Sequence, residues 1–115
     1  MSKIASIGRK RINGKNYSIR ISEHFFNRME NRKLEIRDIL NILNSIDFFT
    51  LSKLVRDIGS EVAVIDYDKK LTLFFGIKVN KINFITGLQG VDNYIKDNTK
   101  IVEINKEVKD GNYSR

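Results

Sequence analysis

Residues 3–22 read KIASIGRKRINGKNYSIRIS, two partly alternating runs, Ile4, Ile7, Ile12 and Tyr17, Ile19, Ile21, joined by Asn13-Gly14. Asn-Gly is the strongest short hairpin signal, because both residues tolerate the positive φ that a type I′ turn requires. The stretch predicts an N-terminal β-hairpin with Arg9, Arg11, Lys15 and Arg20 mostly on its solvent side. Two strands are marginal in water, so this hairpin must pack on helices or extend a sheet.

Downstream of the hairpin the period changes. Ser22 is placed as a helix N-cap with Glu23 in the first turn, and a helix is expected from Glu23 to Asn31 or Arg32. Ile36, Ile39, Leu40 and Leu43 follow the i, i+3, i+4, i+7 spacing of an amphipathic helix within Leu34 to Asn44. The run from Phe48 to Val55 fits a strand or an irregular crossover, and its aromatic pair Phe48 and Phe49 is expected in the core. "EVAVIDY", "KLTLFFGIK" and "KINFITGLQG" are short β-rich runs separated by tight-turn residues, the pattern of an antiparallel meander. A loop or short helix over Val91 to Asn98 then leads to a final strand in "KIVEINKEV". The expected fold is α+β, with a hairpin, two helices and a three- to four-stranded antiparallel sheet. At 115 residues this is a single domain, divided into a basic hairpin (1–21), two helices (22–45), a meander (48–108) and a mobile tail (109–115).

The net charge of +7 is unevenly placed. Residues 1–37 carry ten Lys or Arg against three acids, which is +7, whereas residues 38–115 carry eleven of each sign. A one-sided basic field is the footprint of a polyanion-binding surface. Arg9, Lys10, Arg11, Lys15, Arg20 and Lys33 are therefore candidate phosphate contacts, with Tyr17 as an exposed platform on which a base could stack. No apolar run approaches the roughly 20 residues that span a bilayer, and Met1 to Arg11 lacks a signal-peptide core, so a cytoplasmic, membrane-free protein is expected. The absence of cysteine removes disulfides and thiolate metal sites, and one histidine is too few for an ordinary zinc centre. Neither a metal nor a cofactor is expected. Asp66 and Asp68 read as a solvated turn pair.

The single histidine heads a stripe, His24, Arg28 and Arg32. With Phe25 at 0° on the helix, Met29 falls at about 40°, Arg32 at about −20°, Arg28 at about −60° and His24 at about −100°. The stripe borders the buried face, where side chains are held by packing yet reach solvent. Arg28 and Arg32 at i, i+4 repel by roughly 0.2–0.5 kcal/mol unless an anion lies between them.

The string SEHFFNRMENRKLEIRDILNIL, residues 22–43, resembles the opening of a family of small RelE-like domains of unassigned function, which begin Ser-x-His-x-x-x-Arg-Met-x-x-Arg. Ser22, His24, Arg28, Met29 and Arg32 match that run, and "LTLFFGIKVNKINFITGL" resembles the central hairpin of the family's sheet. Lys33 departs from the glycine commonly found there. The resemblance spans residues 22 to 90 and implies a metal-independent endoribonuclease or toxin-like RNA-binding domain, related in topology to RelE-type toxins, colicin-type tRNases and barnase. The implied chemistry is attack of a ribose 2′-oxygen on the adjacent phosphate, with His24 as general acid or base and Arg28 and Arg32 on phosphate oxygens. A cognate inhibitor protein is the partner such a toxin implies. Tyr113 and Arg115 parallel the C-terminal residues used by some of these toxins, although a flexible tail accounts for them as well. Two other readings use the same residues: a non-enzymatic nucleic-acid-binding regulator, and a protein-interaction module.

Overall fold

A computed structural model of the chain describes residues 4–31 and 34–106. Among these, β1 (Ile4–Ile12) and β2 (Lys15–Ser22) form the expected hairpin, turning on Asn13 and Gly14 at φ of 55° and 76°. Three helices follow, α1 (Glu23–Asn31), α2 (Ile36–Asn44) and α3 (Phe48–Leu54). The chain then forms β3 (Glu61–Asp66), β4 (Leu71–Lys78), β5 (Lys81–Gln89) and β6 (Lys100–Ile104).

The α+β class and the opening hairpin are as expected, but the sheet is larger and mixed. Its six strands run in the order β1-β2-β5-β4-β3-β6. β3, β4 and β5 form the antiparallel meander, while β2 joins β5 in parallel and β6 joins β3 in parallel. The reason lies in β2, where Tyr17, Ile19 and Ile21 present one continuous apolar face that a lone hairpin cannot bury. Parallel pairing requires a long crossover, and α1 to α3 supply it. The separate hairpin and three- to four-stranded sheet expected from the sequence are therefore one surface.

The helices cover one face of that surface. Ser22 caps α1 as expected, its Oγ accepting from the Phe25 N–H at 3.0 Å. Phe25 and Met29 are buried, and the Phe25 ring meets Phe84 of β5 edge-on at 5.9 Å, with Phe84 in turn 5.1 Å from Phe75 of β4. α2 buries Ile39, Ile42 and Leu43, and the Asp38 carboxylate at its start accepts from the Glu35 N–H at 2.8 Å. Lys10 of β1 donates to Asn44 at the end of α2 at 2.7 Å, while Ser45, Ile46, Asp47 and Thr50 line a cleft together with β6.

The ambiguous run at 48–55 is a helix. Asp47 caps it, accepting from the Thr50 N–H at 2.9 Å and from the Thr50 hydroxyl at 2.6 Å. That hydroxyl bond, followed by the backbone bond, holds the Asp47 carboxyl below the usual carboxylate range. Helical period turns Leu51, Leu54 and Val55 inward and leaves Phe48 and Phe49 64% and 68% exposed, so neither belongs to the core. The Lys53 ammonium lies 4.6 Å from the Phe49 ring centroid.

On the other face, residues 90–99 form no helix but cross over β4 and β3 to reach β6. Asn93 Nδ2 fixes this crossing by donating to the Gln89 and Gly90 carbonyls and to the Thr72 hydroxyl, and Ala63, Ile65 and Thr72 are buried beneath it. The residues 107–115, including Tyr113 and Arg115, lie outside the described residues.

Gly87 of β5 lies between Leu73 of β4 and Phe25 of α1. A Cβ there would stand 2.8 Å from Leu73 Cδ2 and 3.8 Å from the Phe25 ring. Gly87→Val should lower the unfolding free energy by roughly 1–3 kcal/mol, the usual cost of overpacking a core. Urea denaturation followed by circular dichroism checks this, and a midpoint equal to that of the parent chain would contradict the packing described.

Candidate nucleic-acid interface

Strand register decides which basic side chains share a surface. Ile19, Ile82 and Ile77 are buried partners across β2, β5 and β4 on the helix-covered face, so their chain neighbours Ser18, Lys81 and Lys78 point to the other side. Arg9 on β1 pairs with Ser18. One row therefore crosses four strands as Arg9, Ser18, Lys81 and Lys78. The next row is Ser6, Arg20, Asn83 and Gly76. Arg11, opposite Asn16, adds a further cation toward the hairpin turn.

This half of the sheet carries five cations, Arg9, Arg11, Arg20, Lys78 and Lys81, separated by Ser and Asn. None of the five makes an ion pair among the described residues. The acids of the same face lie on its other half, and they are engaged: Glu61 with Lys96 at 3.6 Å, and Glu103 with Lys106 at 3.4 Å and the Tyr67 hydroxyl at 2.7 Å. The Tyr67 bond is the main reason the Glu103 carboxyl is held below its usual range and the Tyr67 phenol above its own. With strands about 4.8 Å apart, Arg9 and Lys81 stand on the order of 10 Å apart, a spacing one extended phosphate chain can bridge.

The sequence candidates divide between the two faces. Arg9, Arg11 and Arg20 share the helix-free face. Lys10 and Lys15 point to the helix side, Lys10 toward Asn44. Tyr17 is 7% exposed in the hydrophobic core, which removes it as an open stacking platform. Its place opposite Lys10 on the helix-covered face of β2 explains the correction, because the sequence alone did not show which face of the hairpin would be covered. Arg32 and Lys33 lie outside the described residues. Lys78 and Lys81 were missed; the signal available was two lysines flanking the Val79-Asn80 turn, but only the parallel seam puts them beside Arg9.

On α1 the predicted gradient holds: Phe25 and Met29 are buried, Arg28 is half-buried and His24 is exposed. His24 makes no hydrogen bond among the described residues. Arg28 lines a recess of about 10 Å³ with Phe25, Met29, Leu34 and Gly87, room for about one water. His24 and Arg28 lie on α1, on the helix side, whereas the three hairpin arginines point to the other face of the sheet. Asp66 is 1% exposed, not solvated, and its Oδ1 accepts from the N–H groups of Asp68 and Lys69 and from Asn105 Nδ2, which makes it a turn-fixing carboxylate. Among the described residues no three His, Cys, Asp or Glu side chains gather as a metal site, and no helix is long and apolar enough to cross a membrane.

No family model matches the chain, nor does any curated protein or solved structure.

Lys78 and Lys81 sit directly opposite each other, and like charges in that relation destabilise a sheet. Lys78→Thr should raise stability by roughly 0.2–1 kcal/mol at low ionic strength, with the gain shrinking as salt is added. Thermal unfolding at low and high salt checks this; a loss of stability would show that the two lysines do not oppose each other.

Proposed function

We propose that the protein is a small RelE-like, toxin-like RNA-binding domain that holds single-stranded RNA by its phosphates on the helix-free half of the sheet. The observation that carries this is the acid-free row of Arg9, Ser18, Lys81 and Lys78, with Arg20 and Arg11 beside it. Arginine forks and lysine ammonium groups suit phosphate oxygens, and the Ser18 hydroxyl between them suits a ribose hydroxyl. A broad sheet face offers neither a helix nor a two-stranded ribbon for the major groove of a duplex. With Tyr17 buried, the grip is electrostatic and tolerant of sequence.

Cleavage is the second reading, and it rests on His24 and Arg28. The imidazole is exposed, and Arg28 is held at the edge of the core one turn along α1. The two residues lie on α1 and share no cavity with the basic rows, which is why binding, rather than chemistry, is the better supported function.

The test is titration of a fluorescent single-stranded RNA across a salt series. Replacing Arg9, Lys78 and Lys81 together by Gln should weaken binding and flatten the slope of log K against log salt by about 2, since each phosphate contact contributes about 0.7. His24→Ala should bind like the parent chain while abolishing any cleavage seen on gels. Binding that is insensitive to the triple substitution would overturn the assignment of the face.

A further inference from the structure

We infer that the cleft between the hairpin turn and the link from α3 to β3 is a pocket for a phosphate monoester, the phosphorylated end of an RNA chain. The inference rests on the RNA reading for the identity of the polymer, but not for the phosphate chemistry, which the cleft supplies independently.

The cleft has a volume of about 550 Å³, and Asn13, Lys15, Tyr17, Val55, Arg56 and Ile58 line it. Its walls are locked together. Asn13 Nδ2 donates to the Ser52 carbonyl of α3 at 3.1 Å, and the Ser52 hydroxyl donates back to Asn13 Oδ1. Lys15 of β2 and Arg56, just after α3, both line it, and neither makes an ion pair among the described residues. Two uncompensated cations on one small cleft repel each other, and an anion between them relieves that repulsion.

Tyr17 gives the second, independent indication. It is more than nine-tenths buried, and its hydroxyl makes no hydrogen bond among the described residues. Among the described residues the buried side-chain polar atoms without a partner are Ser60 Oγ and Asn83 Oδ1, and the Tyr17 hydroxyl is not one of them. An unpaired hydroxyl that is not buried must open outward, and Tyr17 lines this cleft. The cleft therefore combines a hydroxyl with an ammonium and a guanidinium in its lining. Three donors, two of them charged, suit the three terminal oxygens of a phosphate monoester better than the two free oxygens of a phosphodiester. Ile58, 58% exposed, supplies apolar surface on which the terminal nucleoside can rest.

The position is also consistent with the sheet face. The Asn13-Gly14 turn separates the cleft from Arg11 on the opposite side of the hairpin, so a chain leaving the basic rows past this turn arrives at Lys15.

The full chain is titrated against three otherwise identical fluorescent RNA oligonucleotides, bearing a 5′-phosphate, a 3′-phosphate or neither. AMP and inorganic phosphate serve as competitors. One phosphorylated end should bind about tenfold tighter than the unphosphorylated oligonucleotide, the scale of a charge-assisted contact. Arg56→Gln and Tyr17→Phe should each remove most of that preference without changing the affinity for the unphosphorylated strand. Tyr17→Phe keeps the ring, so an unchanged melting temperature separates loss of the hydroxyl from loss of the fold. Equal affinity for all three oligonucleotides, or a preference that survives both substitutions, overturns the pocket even if RNA still binds to the sheet. Binding of AMP and inorganic phosphate that is lost in Arg56→Gln, with no RNA bound at all, would instead uphold the phosphate pocket and overturn the RNA reading.

Discussion

The parallel seam between β2 and β5 is the contact on which the rest of the molecule depends. Ser18, Ile19, Arg20 and Ile21 pair there with Lys81, Ile82, Asn83 and Phe84. On one side of the seam it brings Ile19 and Ile21 into the same layer as Ile82 and Phe84, and so closes the core that Phe25 and Met29 of α1 complete. On the other side it sets the hairpin arginines beside the lysines of a turn 58 to 72 residues later in the chain. One set of backbone hydrogen bonds thus produces both the hydrophobic layer and the basic surface.

The two faces of the sheet are treated differently along its width. The helix side carries the buried core, with Asn44 bonded to Lys10 of β1 and Ser45, Ile46, Asp47 and Thr50 lining a cleft with β6. The far side is covered only over β3 and β4, where the strand alternation gives way to buried Ala63, Ile65 and Thr72 under the Asn93 crossing. A covered half rich in apolar residues and an uncovered half rich in cations follow from where the chain must cross to reach β6. Charge on the open half also protects the β1 edge, since Arg and Lys discourage strand-to-strand aggregation. β6, the other edge, is anchored by Lys100 to Asp57 at 2.6 Å and by Glu103 to Tyr67.

Local signals were legible in the sequence and long-range pairing was not. Asn13-Gly14 announced its turn, Ser22 its cap, and the 100° period placed Phe25, Met29, Arg28 and His24 in the observed order of burial. Those features are decided within a few residues of chain. The helix at Phe48 to Leu54 was missed because the apolar run fitted a strand or an irregular crossover equally well, whereas Asp47 and Thr50 form a cap whose helix directs both phenylalanine rings outward. Tyr17 was misplaced for a deeper reason. Alternation shows that a strand has two faces, but which face is covered depends on partners distant in sequence, here α2, α3 and β5. For the same reason the charge count found Arg9, Arg11 and Arg20 but not Lys78 and Lys81, which lie in a segment with no net charge.

The most direct test of the account is a backbone amide NMR titration of the chain with a short unphosphorylated single-stranded RNA. The account predicts shifts concentrated at Arg9, Ser18, Arg20, Lys78 and Lys81, four strands contributing to one surface, with the amides of α1 and α2 unmoved. Shifts confined to His24 and Arg28 on α1, or none at any RNA concentration, would contradict it.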